Sequence, residues 1–207
     1  MQRFEKIKLI DAGLLSGFLT RARLRAVAPY LTGTVLDFAC GHGNLAQLCR
    51  PGDYVGYDID ERKLAVARRH FPRHRFEAVL PENQRYDVVA ALAFIEHVDP
   101  EPYLRQFADL LSPGGRIVLT TPHPSFEWVH TLGARLGLFS HEAHEDHEDL
   151  LDAAAVAALA DRLSLRLISK KRFLFGANQI FVLSGRTSTR PRRNLSAVQP
   201  GNVSASH

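Results

Sequence analysis

From Thr34 to Arg186 the chain alternates short apolar runs with segments whose apolar residues recur at helical spacing, and that alternation restricts the fold more than any other feature. A strand followed by a helix and a further strand returns parallel to itself. The pattern therefore predicts an α/β chain: a doubly wound, mostly parallel sheet with helices on both faces, an αβα sandwich. Ser16–Leu31 reads as a leading helix with Ser16 as its cap, and strands are expected at Thr34–Phe38, Tyr54–Tyr57, Arg75–Val79, Tyr86–Phe94 and Arg116–Thr121. Between them a short helix stops at Pro51, a second follows the cap Asp60 and runs to about His70, and a third follows Asp99 and ends at Pro113-Gly114-Gly115. Tyr86–Phe94 is apolar without alternation, as a strand covered on both faces must be. A helix capped by Asp152, with Leu151 packed on Val156, precedes two more strands, Leu165–Phe175 and Gln179–Ser184. The short turn Gly176-Ala177-Asn178 makes these an antiparallel hairpin closing the sheet.

With 207 residues, 45% of them hydrophobic, the chain can bury one sizeable core. Residues 1–186 are expected to form a single domain. Segment 122–150 is too long for a plain connector and reads as a lid over a site. Residues 187–207 are rich in Ser, Pro, Arg and Asn and read as a disordered tail. That tail holds Arg190, Arg192 and Arg193 and no acid, so +3 of the net charge of +4 lies there and the body carries +1. A nearly neutral body argues against a nucleic-acid partner. No apolar run reaches the ~18 residues a membrane span needs, and Met1–Leu15 mixes Arg3, Glu5, Lys6 and Lys8 among its apolar residues, unlike a secretory signal. A cytoplasmic protein without a membrane partner is expected. Cys40 and Cys49 form neither a disulfide framework nor a zinc pattern, which suits a reducing compartment.

The chemistry begins at Val35-Leu36-Asp37-Phe38-Ala39-Cys40-Gly41-His42-Gly43-Asn44. An apolar strand runs into a turn of small residues that lets backbone approach a ligand, and the helix after it offers unpaired N–H groups. Gly41-x-Gly43-x-x-Ala46 also satisfies a dinucleotide fingerprint, so this segment alone is ambiguous. Asp58 ends the second strand, where a carboxylate can accept hydrogen bonds from the two hydroxyls of a ribose. Asp60 is better explained as a helix cap. Asp37 separates the cofactor classes: a pyrophosphate gains nothing from a negative charge there, whereas a cofactor with a cationic amino-acid end does.

Arg75-Phe76-Glu77-Ala78, Tyr86-Asp87-Val88-Val89, Ala93-Phe94-Ile95-Glu96-His97-Val98 and Leu110-Leu111-Ser112-Pro113-Gly114-Gly115 follow in order. Together with Leu36–Gly43 and Gly56–Asp58 they resemble class I S-adenosylmethionine-dependent methyltransferases, in the broad branch that includes those of ubiquinone biosynthesis. The resemblance covers Val35–Thr121 strongly and Leu150–Leu183 loosely. It implies a Rossmann-like fold, S-adenosyl-L-methionine as cofactor and methyl transfer as the activity. Residue by residue, it implies that Asp37, Ala39, Gly41 and Gly43 surround the methionine part. Asp58 would hold the ribose, Ile59 would lie against adenine, Glu77 and Ala78 would sit near its amino edge, and Ala93 would line the site. Ala39 stands where the family usually has a glycine, and Glu77 where Asp is more usual.

Methyl transfer from a sulfonium is an in-line displacement, and positioning alone can supply ~7–11 kcal/mol of its barrier. A base is needed only for a nucleophile that must lose a proton. His97, just past the central strand, and His123, between Pro122 and Pro124, are the candidate bases, each with a purely structural alternative; His42 reads as an exposed loop residue. His141, His144 and His147 lie three apart among carboxylates, a spacing that could serve a metal, but the segment reads as a solvated polar lid and no metal is expected. Phe126, Trp128 and Phe139 in the same segment either form a small core under the loop or line a pocket, and an aromatic-lined lid favours a small, partly apolar acceptor over a polymer. Three other readings compete: an NAD-dependent oxidoreductase, a non-catalytic cofactor-binding protein, and a nucleic-acid or protein methyltransferase recruited through the tail.

Overall fold

A computed structural model of the chain describes residues 9–10, 14–81, 83–123 and 153–185. Helix α1 (Leu14–Val27) runs into a single 3-10 turn, Ala28–Tyr30. It begins two residues before Ser16, so Ser16 lies inside the helix and does not cap it. Strand β1 (Val35–Phe38) leads to the glycine turn. The helix expected after that turn is a five-residue 3-10 segment, Asn44–Leu48, because the turn consumes Ala39–Gly43 and Pro51 already opens the next 3-10 turn, Pro51–Asp53. Strand β2 (Tyr54–Tyr57) and helix α2 (Glu61–His70) match expectation, and Asp60 caps α2 by accepting the Arg62 N–H at 2.9 Å. Strand β3 (Arg75–Glu77) is shorter than expected and leaves Val79 exposed.

Strand β4 (Tyr86–Leu92) stops short of Phe94 because Ala93 takes a left-handed φ of 52°. Asp99 caps helix α3 (Pro100–Asp109) through the Glu101 N–H. Contrary to expectation, α3 ends before Pro113-Gly114-Gly115, and strand β5 (Leu111–Pro122) absorbs that tripeptide. Tyr86 pairs with Leu111 and Val88 with Arg116, so five residues of β5 span two of β4. Pairing with β4, including Tyr86 N–H to the Leu110 carbonyl at 2.9 Å, overrides the local turn signal. Helix α4 (Ala153–Arg162) precedes strands β6 (Leu165–Phe173) and β7 (Asn178–Gly185). The turn between them runs from Leu174 to Ala177, with Leu174, Phe175 and Gly176 all at positive φ. Asp152 and Leu151, the expected cap and staple of α4, lie outside the described residues, as do 124–150 and the tail.

The seven strands form one sheet in the order β3-β2-β1-β4-β5-β7-β6. All pairs are parallel except β5–β7 and β6–β7, the expected closing hairpin. Each face carries its own core. Leu24 and Val27 of α1 and Leu64 and Ala67 of α2 pack on Val35, Val88, Ala90, Val118 and Ile180. On the other face Leu104 and Phe107 of α3 and Val156, Leu159 and Ala160 of α4 pack on Leu36, Val89, Ile117 and Phe181. Burying one such Leu or Phe contributes ~1.5–3 kcal/mol, which is why the strands need helices on both sides. Among the described residues no helix is long and apolar enough to cross a membrane.

Candidate functional site

The sheet order reverses between β1 and β4: connections from β1 lead one way, those from β4 the other. Loops at the carboxyl ends of these two strands diverge and leave a crevice, the place where open α/β sheets bind ligands. A cavity of about 120 Å³ lies there, lined by Thr20, Arg23 and Leu24 of α1, Asp37, Ala39, Cys40, Asn44 and Leu45 from β1 onward, and Leu92 of β4.

Asp37 forms one wall and is buried. Its Oδ2 accepts a 2.7 Å hydrogen bond from the Tyr54 hydroxyl. Burial pushes its carboxyl up to about 7, the Tyr54 bond opposes that rise, and the charge of Asp58 adds to it. Arg23 faces the same cavity from α1. Its Nε is buried with no hydrogen-bond partner. Burial lowers its pKa while Glu96, buried in the turn after β4, raises it. The cavity thus has a carboxyl group and a guanidinium in its lining.

The turn after β1 is held by backbone bonds: Cys40 N–H to the Tyr57 carbonyl and Gly43 N–H to the Cys40 carbonyl, both 2.9 Å. Ala39 sits at φ 57° and Gly43 at 73°, left-handed conformations that favour glycine. At Gly43 a side chain is also barred sterically, since a Cβ would lie 2.6 Å from the Phe76 ring. Asp58 ties this turn to β2: Oδ2 accepts the Gly41 N–H at 2.8 Å and Oδ1 the Asp60 N–H at 2.9 Å. Each oxygen keeps a second lone pair for a ligand hydroxyl. Ile59 beside it is 84% exposed, an apolar side chain that no described residue covers.

The remaining expected site residues are more dispersed. Glu77 is engaged by Arg75 across the end of β3, and Ala78 is exposed. Ala93 caps β4 next to Leu92, with its N–H bonded to the Thr120 carbonyl at 2.9 Å. His97 is exposed at the end of a 3-10 turn, Ile95–His97, whereas His123 is 7% exposed at the end of β5. The His123 N–H meets the Ala177 carbonyl at 2.9 Å, so the hairpin turn and His123 share the sheet edge that carries the cavity. Burial, then Arg172 and Lys170, lower the His123 pKa, which keeps the imidazole neutral at pH 7. His42 is half-buried beside Gly41. Phe126, Trp128, Phe139, His141, His144 and His147 lie outside the described residues. Among the described residues no three His, Cys, Asp or Glu side chains gather as a metal centre requires. Both cysteines are free thiols, and burial raises Cys49 to about 12. Sequence reasoning did not single out Thr20, Arg23, Tyr54 or Leu92.

A family model described as a methyltransferase domain matches residues 12–170, more than three quarters of the chain. The chain belongs to this methyltransferase family. Among curated relatives, the ubiquinone biosynthesis O-methyltransferase of Serratia proteamaculans is 39% identical over 101 residues, 42% of each chain. That of Coxiella burnetii is 30% identical over 105 residues, 45% of each chain. This methyltransferase-family chain therefore spans under half the length of the curated relatives it matches. Among solved structures, the magnesium protoporphyrin IX methyltransferase of Synechocystis with bound S-adenosylhomocysteine superposes with a TM-score of 0.64 at 17% identity, over 89% of this chain and 93% of that one. The PH0226 protein of Pyrococcus horikoshii gives 0.62 at 19% identity, over 81% and 92%. At such identities the likeness is one of fold, and it is the Rossmann-like fold expected from the sequence.

Proposed function

We propose that the chain transfers a methyl group from S-adenosyl-L-methionine to a small, partly apolar acceptor. The observation that carries this reading is the cavity at the switch point, lined by Asp37 and Arg23. A free amino acid carries an ammonium and a carboxylate, and these two side chains complement it: Asp37 meets the ammonium and the unsatisfied Arg23 Nε meets the carboxylate. A pyrophosphate would instead bring two negative charges to Asp37. Asp58 and the exposed Ile59 fit the ribose and adenine. Ala39, Gly41 and Gly43 supply the close backbone approach, Glu77 and Ala78 the far end of the adenine site, and Ala93 the wall nearest the acceptor.

The cofactor supplies a methyl group on a cationic sulfur; the chain's residues bind, orient and exclude water. Asp37 and Arg23 fix the amino-acid end and Asp58 the ribose, so the reactive centre between them has little freedom left. Phe94 lies beside Ala93, with ring centroids 5.1 Å from Phe38 and 5.0 Å from Tyr103, an apolar aromatic wall suited to a partly apolar acceptor. The name of the curated relatives favours an oxygen acceptor, and a hydroxyl acceptor needs a base. His123, buried and neutral at the same sheet edge, takes that proton. His97, exposed, is the second candidate.

Calorimetric titration tests the reading. S-adenosylhomocysteine binds, NAD does not, and Asp58→Ala weakens binding at least tenfold, or ~1.4 kcal/mol. A chain that prefers NAD, or ignores both ligands, is not this enzyme.

A further inference from the structure

Tyr54 opens β2 as an aromatic residue in a sheet interior, and a buried phenol needs a partner for its hydroxyl. The ring is fully enclosed, edge-on to Phe76 at 5.6 Å and to His74 at 5.5 Å. Its hydroxyl meets Asp37 Oδ2 at 2.7 Å, the one hydrogen bond given to that carboxyl among the described residues. Gly56, two residues on and on the same face of β2, makes the approach possible: a Cβ there would stand 2.9 Å from the Tyr54 hydroxyl oxygen. Tyr54, Gly56 and Asp37 thus form one arrangement across two strands, and nothing in the cofactor reading above required it.

We propose that Tyr54 is a positioning residue for the cofactor: its hydroxyl anchors Oδ2 of Asp37 so that Oδ1 is presented to the ammonium group in the cavity. The inference rests on the reading of Asp37 as the ammonium site. A purely structural tyrosine would fill space and leave Asp37 unaffected. A positioning tyrosine changes both where the carboxylate points and how readily it ionises.

The groups facing Asp37 decide what titrates. From β2 comes Tyr54, from the residue just after it Asp58, from the turns after β1 Cys40 and Cys49, and from α1 Arg23; the paired strand β4 places Ala90 opposite and offers no ionisable group there. His74 packs edge-on against the rings of Tyr54 and Phe71 and meets the Cys49 carbonyl through Nε2 at 3.2 Å. Burial, then the charge of Asp37, raises the Tyr54 hydroxyl, and burial raises both thiols, so all three stay neutral donors. Asp37 itself changes charge near neutrality. Below that point it must release a proton to solvent before it can hold an ammonium. Removing the Tyr54 hydroxyl removes the bond that favours its ionised form.

The test is calorimetric titration of the full chain with S-adenosylhomocysteine from pH 5.5 to 8.5, for wild type and Tyr54→Phe. Wild-type affinity should climb about tenfold per pH unit below neutrality and level above it. Tyr54→Phe should bind about tenfold more weakly at pH 7, level off at a higher pH than wild type, and remain weaker than wild type on its plateau at pH 8.5, where Asp37 is ionised in both. Methylthioadenosine, which lacks the amino-acid end, should bind both proteins equally. Should Tyr54→Phe not fold, 3-fluorotyrosine installed at position 54 keeps the shape and strengthens the donor; its profile should move to lower pH. An unmoved profile in both variants, or equal losses for both ligands, overturns the proposal alone. A wild type that ignores S-adenosylhomocysteine overturns the cofactor reading with it.

Discussion

Asp37 sits where the protein interior favours its neutral form, with a carboxyl raised to about 7 against 3.8 for an ordinary aspartate. Because the folded state holds the proton more tightly, this group favours folding most fully below about pH 4, and that advantage is lost as pH rises through 7. Each pH unit in the window is worth ~1.4 kcal/mol. Asp37→Asn, which keeps the shape without the charge, should therefore melt higher than wild type at pH 8 in the absence of ligand. The gap should narrow steadily toward pH 5. Thermal melts across that range check it, and a gap independent of pH would contradict the buried-acid account. Asp37 and Asp58 stand out in the sequence as carboxylates at strand tips beside a glycine turn, and the structure puts Asp37 in the cavity wall and ties Asp58 to that turn. Arg23 was not: Arg21, Arg23 and Arg25 alternate along α1, and only docking of the helix selects which one meets the cavity. Tyr54 reads as a core residue and is one; that its hydroxyl meets Asp37 could not be read, because a sequence does not reveal where a hydroxyl ends up. Ala39 stood out as a departure from glycine, and its left-handed φ supplies the reason glycine is usual there.

At the scale of elements, local signals succeeded where a single residue decides the outcome. Asp60 and Asp99 each accept a backbone N–H two residues on, as their positions predicted. Removing the Asp99 cap with Asp99→Ala should cost ~1 kcal/mol and lower the melting temperature by a few degrees, without altering S-adenosylhomocysteine affinity. An equal loss of affinity would mean that α3 positions the site more directly than its packing suggests. Signals failed where pairing across the sheet outweighs them. Pro113-Gly114-Gly115 looks like the end of a helix, yet β4 draws the chain into strand from Leu111 and the tripeptide becomes a bulge. The five-residue 3-10 segment after Gly43 likewise reflects the length left before Pro51 rather than the helix propensity of its residues. Ends of strands shifted for a related reason: Ala93 and Leu174 turn left-handed, a backbone state that composition does not announce.

For the molecule as a whole, the doubly wound, mostly parallel sheet was legible from alternation, whereas the order of its strands was not, since β3 and β4 follow each other in the chain without pairing. The tight turn announced the closing hairpin, but not that its second arm, β7, would lie between β5 and β6. This placement makes β5 an interior strand. A chain ending at His123 would keep Asp37, Asp58 and Leu92 but would leave β5 as an open edge, with Ile117, Val118 and Leu119 in the exposed strand. Such a fragment should aggregate on purification, while the full chain stays monodisperse by light scattering at equal concentration. A soluble, monodisperse fragment would show that β6 and β7 are dispensable to the sheet. The antiparallel insertion also sets an order in time. During synthesis the half of the protein that carries Asp37, Asp58 and the glycine turn leaves the ribosome well before the strand that seals its flank, so the nascent chain passes through a stage with a finished crevice on one side and a sticky, half-finished border on the other.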